Sequence, residues 1–212
     1  MAVLPMFPLG TTLVPGAMLP LHVFEERYRQ LVRDCLDDVP EFGVVLIERG
    51  SEVGGGEVRT DVGTVARIVE VAEAPDGRFA LTTVGVRRIR VVAWLPDDPY
   101  PLADVDDWPD PEPGPGLVDL LEPVVATLRR TLALAAEAGL QTAPATTELA
   151  EDPVIAAHQA VALAPIGPLD RHRLLQAPDA EARLATLAEL LEDAADVLSA
   201  RLAGPPEERP PG

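Results

Sequence analysis

The spacing of apolar residues along this chain changes near its middle. In residues 4–94, apolar residues form short runs separated by prolines, glycines and charged residues, and in places every second position is apolar. From Leu117 onward, apolar residues recur three or four positions apart. A two-residue repeat is typical of strands and a 3.6-residue repeat of helices. The pattern therefore predicts a strand-rich first half and a helical second half.

The strand-rich half opens with two proline-broken segments, residues 4–9 and 14–21, which suit sheet edges because proline costs no hydrogen bond there. The turn signal Pro75-Asp76-Gly77 separates two later strands. Short strands at this spacing are typical of a small, partly open β-barrel. The strands predicted after the opening are Phe42–Glu48, Val62–Ala74, Arg78–Val84, Val86–Trp94 and Leu102–Val105.

One helix is predicted early in this half. The apolar residues that share its predicted face are Phe24, Tyr28, Leu31, Val32, Cys35 and Leu36. Their spacing matches one side of a 3.6-residue helix, and most charged residues of the segment fall elsewhere. We therefore expect an amphipathic helix that packs on the strands.

Four helices are predicted in the second half, after the proline-rich residues 109–116. The first begins at Leu117, and the second begins at Asp152-Pro153, a helix cap followed by proline at the first helical position. Two more are expected over Leu169–Gln176 and from about Pro178 to Leu202. Their leucine and alanine stripes predict a small helical bundle.

Several segments in this order resemble the substrate-binding domain found at the N-terminus of Lon proteases, and similar free-standing bacterial proteins. The resemblance begins with FPL, PG and LPLHVFEERYR, within residues 7–30. It continues through FGVVLI (42–47), DVGTVARI (61–68), DGR (76–78) and GVRRIR (85–90), and covers about Leu4 to Leu202. It implies an α+β protein with a PUA-like, partly open β-barrel, an early helix and a C-terminal helical bundle.

The resulting division of the chain has four parts. Residues 1–108 are expected to form the barrel subdomain, and residues 109–116 a proline-rich linker. Residues 117–203 are expected to form the bundle, and residues 204–212 a disordered tail, because they are rich in proline and charge.

Composition restricts the classes of partner. The 212 residues carry a formal net charge of −18, spread over both halves, so nucleic acid and anionic membrane surfaces would be repelled. The sequence shows no signal peptide and no uninterrupted apolar run near 20 residues, and the single cysteine, Cys35, permits no internal disulfide. We therefore expect an acidic, globular protein of the reduced cytoplasm, binding neither nucleic acid nor membrane.

Catalytic residues are scarce. The chain contains no lysine, which excludes a P-loop and a serine–lysine dyad, so the ATPase and protease modules of a Lon protease are not expected in it. Its two serines, Ser51 and Ser199, lie outside any G-x-S-x-G motif, and its histidines, His22, His158 and His172, are isolated. We expect no enzyme activity, catalytic residue, metal site or cofactor; the glycine run 54–56 is expected to be a loop.

Candidate partner-binding residues are apolar residues of the opening segments and arginines of the later strands. The proline-rich opening carries more large apolar residues than a short edge needs, although the same residues could simply close the barrel core. The arginines could anchor a peptide carboxylate, or could pair with the chain's own acids. The residues predicted to contact a partner are Met6, Phe7, Leu13, Met18, Arg88 and Arg90.

The function predicted from these features is that of a non-enzymatic, ATP-independent module for protein or peptide binding. The resemblance implies that it recognises unfolded or extended protein segments, with a protease as a further candidate partner and a link to proteolysis or quality control. The alternative is a small-molecule binding or sensing domain with a pocket between barrel and bundle. Hydrolysis is a third hypothesis, and the oligomeric state stays open.

Overall fold

The computed structural model describes residues 2–49 and 58–204. Ser51, the predicted glycine loop 54–56 and the predicted tail beyond Gly204 lie outside them. The strands within these ranges are β1 (Ala2–Leu9), β2 (Met18–Val23), β3 (Glu41–Arg49), β4 (Val58–Glu73), β5 (Phe79–Leu95) and β6 (Leu102–Asp107). The helices are α1 (Glu26–Asp37), α2 (Leu117–Glu137), α3 (Pro153–Leu163), α4 (Pro168–Leu175) and α5 (Ala180–Ala203).

The strands form one mixed sheet in the order β2-β5-β4-β3-β1-β6. Most neighbours are antiparallel, whereas β1 and β3 run parallel. The C-terminal half of β5 also pairs with β6. The two strands predicted over Arg78–Val84 and Val86–Trp94 are one continuous strand, and Gly85 between them lies against the Val14 backbone: a Cβ there would be 2.3 Å from the Val14 carbonyl oxygen.

Helix α1 supplies part of the sheet's apolar core through Tyr28, Leu31, Val32 and Cys35. Tyr28 stacks on Phe7 of β1 with ring centroids 4.1 Å apart. The prediction that Phe24 and Leu36 share this buried face is wrong, because they are 58 % and 42 % exposed. Phe24 precedes the first helical residue, Glu26, so helical spacing does not apply to it.

The chain divides into two compact units, Met1–Pro111 with Pro168–Pro178, and Glu112–Gly167 with Asp179–Gly212. Helix α4 therefore groups with the strands, which corrects the expected assignment of all residues 117–203 to the bundle. Hydrogen bonds explain the grouping. Arg88 donates to the carbonyls of Leu175 and Ala177 at 2.8 and 2.7 Å, and the Thr12 hydroxyl donates to the Pro168 carbonyl at 2.9 Å.

The second unit contains α2, α3 and α5, which pack on one another. Leucine and alanine residues at helical spacing make its buried face, including Leu128, Leu132, Leu187 and Leu191. The predicted start of α3 is confirmed: the Asp152 carboxylate accepts hydrogen bonds from the Val154 and Ile155 N–H groups at 2.9 and 3.0 Å. Every helix among the described residues is too short or too polar to cross a bilayer.

Candidate functional site

Arg88, one of the predicted partner contacts, lies inside the protein with 2 % of its surface exposed. Besides its bonds to two backbone carbonyls, its guanidinium donates to the Asp110 carboxylate at 2.7 Å. It also lies 4.2 Å from the centre of the Trp108 ring. Arg88 is therefore engaged within the protein and is not accessible to a peptide carboxylate.

Arg90, its predicted companion, is exposed and lies 4.3 Å from the centre of the same Trp108 ring. The neighbouring Arg87 pairs with Glu41 at 2.7 Å and Asp107 at 2.9 Å. Burial alone would raise the pKa of Glu41, but hydrogen bonds from Arg87 and Arg67 and their positive charges outweigh burial and lower that pKa. Much of the arginine cluster thus pairs with the chain's own acids and aromatic rings.

Three of the predicted apolar contacts belong to the core. Met6, Phe7 and Leu13 are 0 %, 7 % and 3 % exposed. Met6 packs so closely on Gly43 that a Cβ at Gly43 would be 2.5 Å from its sulfur. The expectation of exposed apolar surface is corrected for these three residues, because they close the core of the sheet.

Met18, the remaining predicted contact, is 59 % exposed. It begins β2, the first strand in the sheet order, which pairs with β5 alone among the described residues. A strand at the edge of a sheet leaves backbone groups on one side unpaired. The one predicted apolar contact that stays accessible therefore lies on an open edge.

Two cavities open beside this edge strand and share three residues, His22, Val23 and Phe24. The larger cavity has a volume of about 400 Å³ and is completed by residues of β4, β5 and their connecting turn: Ala72, Glu73, Ala74, Arg78, Phe79 and Ala80. The smaller has about 190 Å³ and is completed by Phe7, Leu9, Pro20, Leu21, Glu25 and Tyr28. We call the two cavities together the Phe24 groove, because the exposed Phe24 ring contributes to both.

The turn between β4 and β5, beside the larger cavity, is fixed by Gly77 and by Arg29. Gly77 has a positive φ of 77°, and its N–H donates to the Ala74 carbonyl at 2.8 Å. The Arg29 side chain of α1 donates to the Gly77 carbonyl at 2.6 Å. The positive φ favours glycine here, and a Cβ at Gly77 would lie 2.1 Å from the Arg29 guanidinium, so that side chain would have to shift. The turn is thereby tied to the helix that follows β2.

The charges of the Phe24 groove are mostly internally paired. Arg27 donates to Glu25 at 3.3 Å and its guanidinium lies 4.5 Å from the centre of the Tyr28 ring. Arg78 pairs with Asp76 at 2.8 Å. Among the described residues, the exposed Glu73 carboxylate has no ion-pair partner. The groove therefore combines apolar walls with one uncompensated negative charge.

Reactive groups are not gathered into a catalytic arrangement within the described residues. The Cys35 thiol is buried, and burial together with the charges of Asp34 and Asp38 raises its pKa to about 12, which keeps it protonated. Ser199 is exposed on α5. No group of three His, Cys, Asp or Glu side chains in these ranges could hold a metal ion. His158 and His172 are buried, whereas His22 lines the groove.

The sequence of this chain matches a known protein family. Residues 3–193 match the family described as the ATP-dependent protease La (LON) substrate-binding domain. The chain belongs to the Lon substrate-binding domain family. It is 30 % identical to Lon protease 2 of Myxococcus xanthus over 204 residues, and 30 % identical to Lon protease of Anaeromyxobacter dehalogenans over 209 residues. These matches cover 92 % and 93 % of this chain but 24 % of each relative, so the chain spans about a quarter of their length.

Solved structures of this family share the fold. The chain resembles the Lon N-terminal domain protein from Xanthomonas campestris, with 30 % identity and a TM-score of 0.65 over 89 % of this chain and 98 % of that one. It also resembles the N-terminal domain of the Mycobacterium avium complex Lon protease, with a TM-score of 0.66 over 91 % of this chain and 99 % of that one. The second pair is 17 % identical and shows similarity of fold alone.

The most accessible aromatic residue of the groove was missed by sequence reasoning. Phe24 fits the helical repeat of the residues after it and was therefore assigned to the core. The signal that distinguishes it is the acidic pair Glu25-Glu26, since acidic residues are favoured in the first turn of a helix. A helix starting at that pair leaves Phe24 outside the buried stripe.

Proposed function

We propose that this chain is a non-enzymatic recognition module that binds extended apolar segments of other proteins in the Phe24 groove. Membership of a substrate-binding domain family supports the class of function. The location of the binding site is supported by the Phe24 groove, where an exposed aromatic ring, an open strand edge and two cavities lie together.

The observation that carries the proposal is the exposure of Phe24. The Phe24 ring is 58 % exposed, so a partner that covers it removes apolar surface from water and stabilises the complex. The core aromatic residues are already buried and cannot contribute in this way. The neighbour of Phe24 on the edge, Met18, is a flexible apolar side chain that adapts to differently shaped partners. Together they suit recognition of varied apolar sequences.

The proposal extends to architecture and setting. We describe the sheet as a PUA-like, partly open barrel and the second unit as a helical bundle, supported by the additional β5–β6 pairing and by the packing of α2, α3 and α5. The bound proteins would be unfolded or extended substrates in the reduced cytoplasm, and a protease acting on them would be a further partner. The absence of lysine supports a role without ATP hydrolysis or proteolysis in this chain.

The test is binding of a permanently unfolded polypeptide, fluorescently labelled, reduced and carboxymethylated α-lactalbumin, followed by fluorescence anisotropy. Phe24→Asp should weaken binding at least about tenfold, because covering a phenylalanine contributes roughly 1.5–3 kcal/mol. The matched control is Val197→Asp, which places the same charge on an exposed position of α5. Wild-type binding that is absent, or is equally weakened by both substitutions, would contradict the proposal.

The second candidate is a small-molecule binding or sensing domain. The volume of about 400 Å³ favours it, since small-molecule sites commonly have volumes of roughly 300–1,000 Å³. A thermal-shift screen distinguishes the two functions. A ligand at a hundred times its dissociation constant stabilises the folded state by about 2.7 kcal/mol, whereas an unfolded polypeptide should give no comparably sharp shift.

A further inference from the structure

The open edge of β2 has a definite pattern of unpaired backbone groups. The Gly85 N–H donates to the Ala17 carbonyl at 2.9 Å, and Met18 lies opposite Val84. In an antiparallel pair, this bond makes Met18 and Val84 a non-hydrogen-bonded pair, and the two kinds of pair then alternate along the strands. The backbone groups of Met18, Pro20 and His22 therefore point away from β5.

These outward groups have no partner among the described residues. Met18 and His22 each present an N–H and a carbonyl, whereas Pro20 presents only a carbonyl because proline lacks the N–H. No hydrogen bond from residues 2–49 or 58–204 reaches them. Their repeat of two residues, about 6.6–6.8 Å, is the spacing of an extended chain. The backbone of an extended chain complements this set of donors and acceptors.

The surroundings of the edge indicate the side chains that would accompany such a backbone. Successive side chains of a strand point to opposite faces, and Phe24 directly follows β2, so an added strand would have apolar positions near the exposed Phe24 ring and intervening positions on the opposite face. The chain's net charge of −18 disfavours a second copy as the occupant and favours a segment that carries arginine or lysine.

We infer that an extended segment of another polypeptide joins the sheet as an additional strand along β2, bonded at Met18 and His22, with apolar and basic side chains at alternating positions. The inference rests on the proposed function and adds its mode and its substrate class. Recognition through the backbone tolerates many sequences but requires a partner free of helical structure, because a helix uses its own N–H groups internally.

The experiment uses a short synthetic peptide of alternating valine and arginine, with backbone N-methyl groups placed at one position at a time. Methylation removes an N–H donor and leaves side chains and charge unchanged. Methyl groups on the residues whose N–H groups face β2 should weaken binding roughly three- to tenfold each, and those on the alternate residues should not. The response should therefore repeat every second residue.

The matching change in the protein is His22→Pro, compared with His22→Ala. Both remove the imidazole, but only the proline removes the outward N–H, and proline is tolerated where an N–H points away from the sheet. His22→Pro should weaken the unmethylated peptide roughly three- to tenfold more than His22→Ala, with unchanged circular dichroism spectra. Equal affinities of the two variants would contradict strand addition.

The outcomes separate the two proposals. Tight binding with a flat response to methylation would overturn strand addition and leave the Phe24 groove as the binding site. No binding of the unmethylated peptide or of unfolded α-lactalbumin would overturn the proposed function itself. A dimer in sedimentation equilibrium that His22→Pro dissociates would assign the edge to a second copy of this chain and overturn the inference.

Discussion

The two halves of β5 differ in the strands with which they pair. Its C-terminal half, from Ile89, pairs with β6, and Ile89 and Arg90 pair with β4 as well. This half follows Arg88, whose hydrogen bonds join distant segments of the chain. The N-terminal half of β5 pairs with β4 and with β2, whose outer backbone groups lack partners among the described residues. We call the C-terminal half the consolidated half, and the N-terminal half, which lies next to the edge strand β2, the open half. The binding site proposed above therefore lies where the hydrogen bonding of the sheet is incomplete among the described residues.

The sharpest way to break the consolidated half is Arg88→Met. The substitution removes the hydrogen bonds that Arg88 donates to the Asp110 carboxylate and to the carbonyls of Leu175 and Ala177 in a buried site. We expect unfolding to become easier by about 3–5 kcal/mol, measured by urea denaturation. Arg90→Met is the control, because Arg90 is exposed and its contact with Trp108 contributes about 0.5–1 kcal/mol. Similar losses in both variants would contradict this account.

A smaller loss of stability is expected from Gly77→Ala, in the turn that precedes the open half of β5. Alanine at a φ of 77° costs about 1–2 kcal/mol, and its Cβ would displace the Arg29 guanidinium from the turn. The free energy of unfolding from urea titration should fall by that amount. Gly116→Ala is the matched control, because nothing lies within 4 Å of a Cβ there and its φ is −90°.

The buried residue His172 of α4, in the same unit as the strands, predicts that stability depends on pH. Burial lowers its pKa below 6.5, an effect that outweighs the opposing charges of Asp61 and Glu48. Neither ring nitrogen has a hydrogen-bond partner within residues 2–49 and 58–204. The unfolded state therefore takes up the proton first as pH falls. Stability should decrease as pH falls through about 6.5, and the loss is complete below the folded-state pKa.

The measurement is the free energy of unfolding at pH 7.5 and at pH 5.5 for the wild type and His172→Leu. The substitution should reduce the difference between the two pH values, because the residue that binds the proton on unfolding is gone. An identical difference in the two proteins would show that another group causes the acid sensitivity.

The smallest effect on stability is expected at Phe24, which directly follows the edge strand β2. Phe24→Asp should change the free energy of unfolding by no more than about 0.5 kcal/mol, because the ring is largely exposed. The same substitution should abolish most binding of unfolded α-lactalbumin. Its urea midpoint and its affinity, measured on one preparation, test whether the groove serves binding or the fold. A large loss of stability would assign Phe24 to the core after all.

Local patterns were sufficient for most elements of the fold. The strand predicted over Phe42–Glu48 is observed over Glu41–Arg49, and the helix predicted from Leu117 begins at that residue. These elements have strong repeats or clear terminal residues such as Asp152-Pro153. The α+β class and the family were predicted from the order of the same segments, and both are confirmed at that level.

The site was harder to predict because its residues depend on contacts between distant positions. Arg88 and Arg90 look equivalent in sequence, yet Arg88 is buried by carbonyls 87 and 89 residues away. The same contacts place α4 with the strands, which no repeat within α4 could indicate. Met6 and Phe7 were predicted to contact a partner because they are apolar. Apolar residues at an exposed edge and apolar residues in a core give the same pattern in the sequence. Only the strand order distinguishes these positions.

Pro20 has a consequence for the protein's own solubility. A long row of free amides would invite stacking of copy upon copy into fibres, and a proline in the middle of the row interrupts that growth. The interruption also limits how firmly any captured chain is held, because the register loses one anchoring point. In the proposed mode of binding, a polypeptide would therefore be held briefly and released readily.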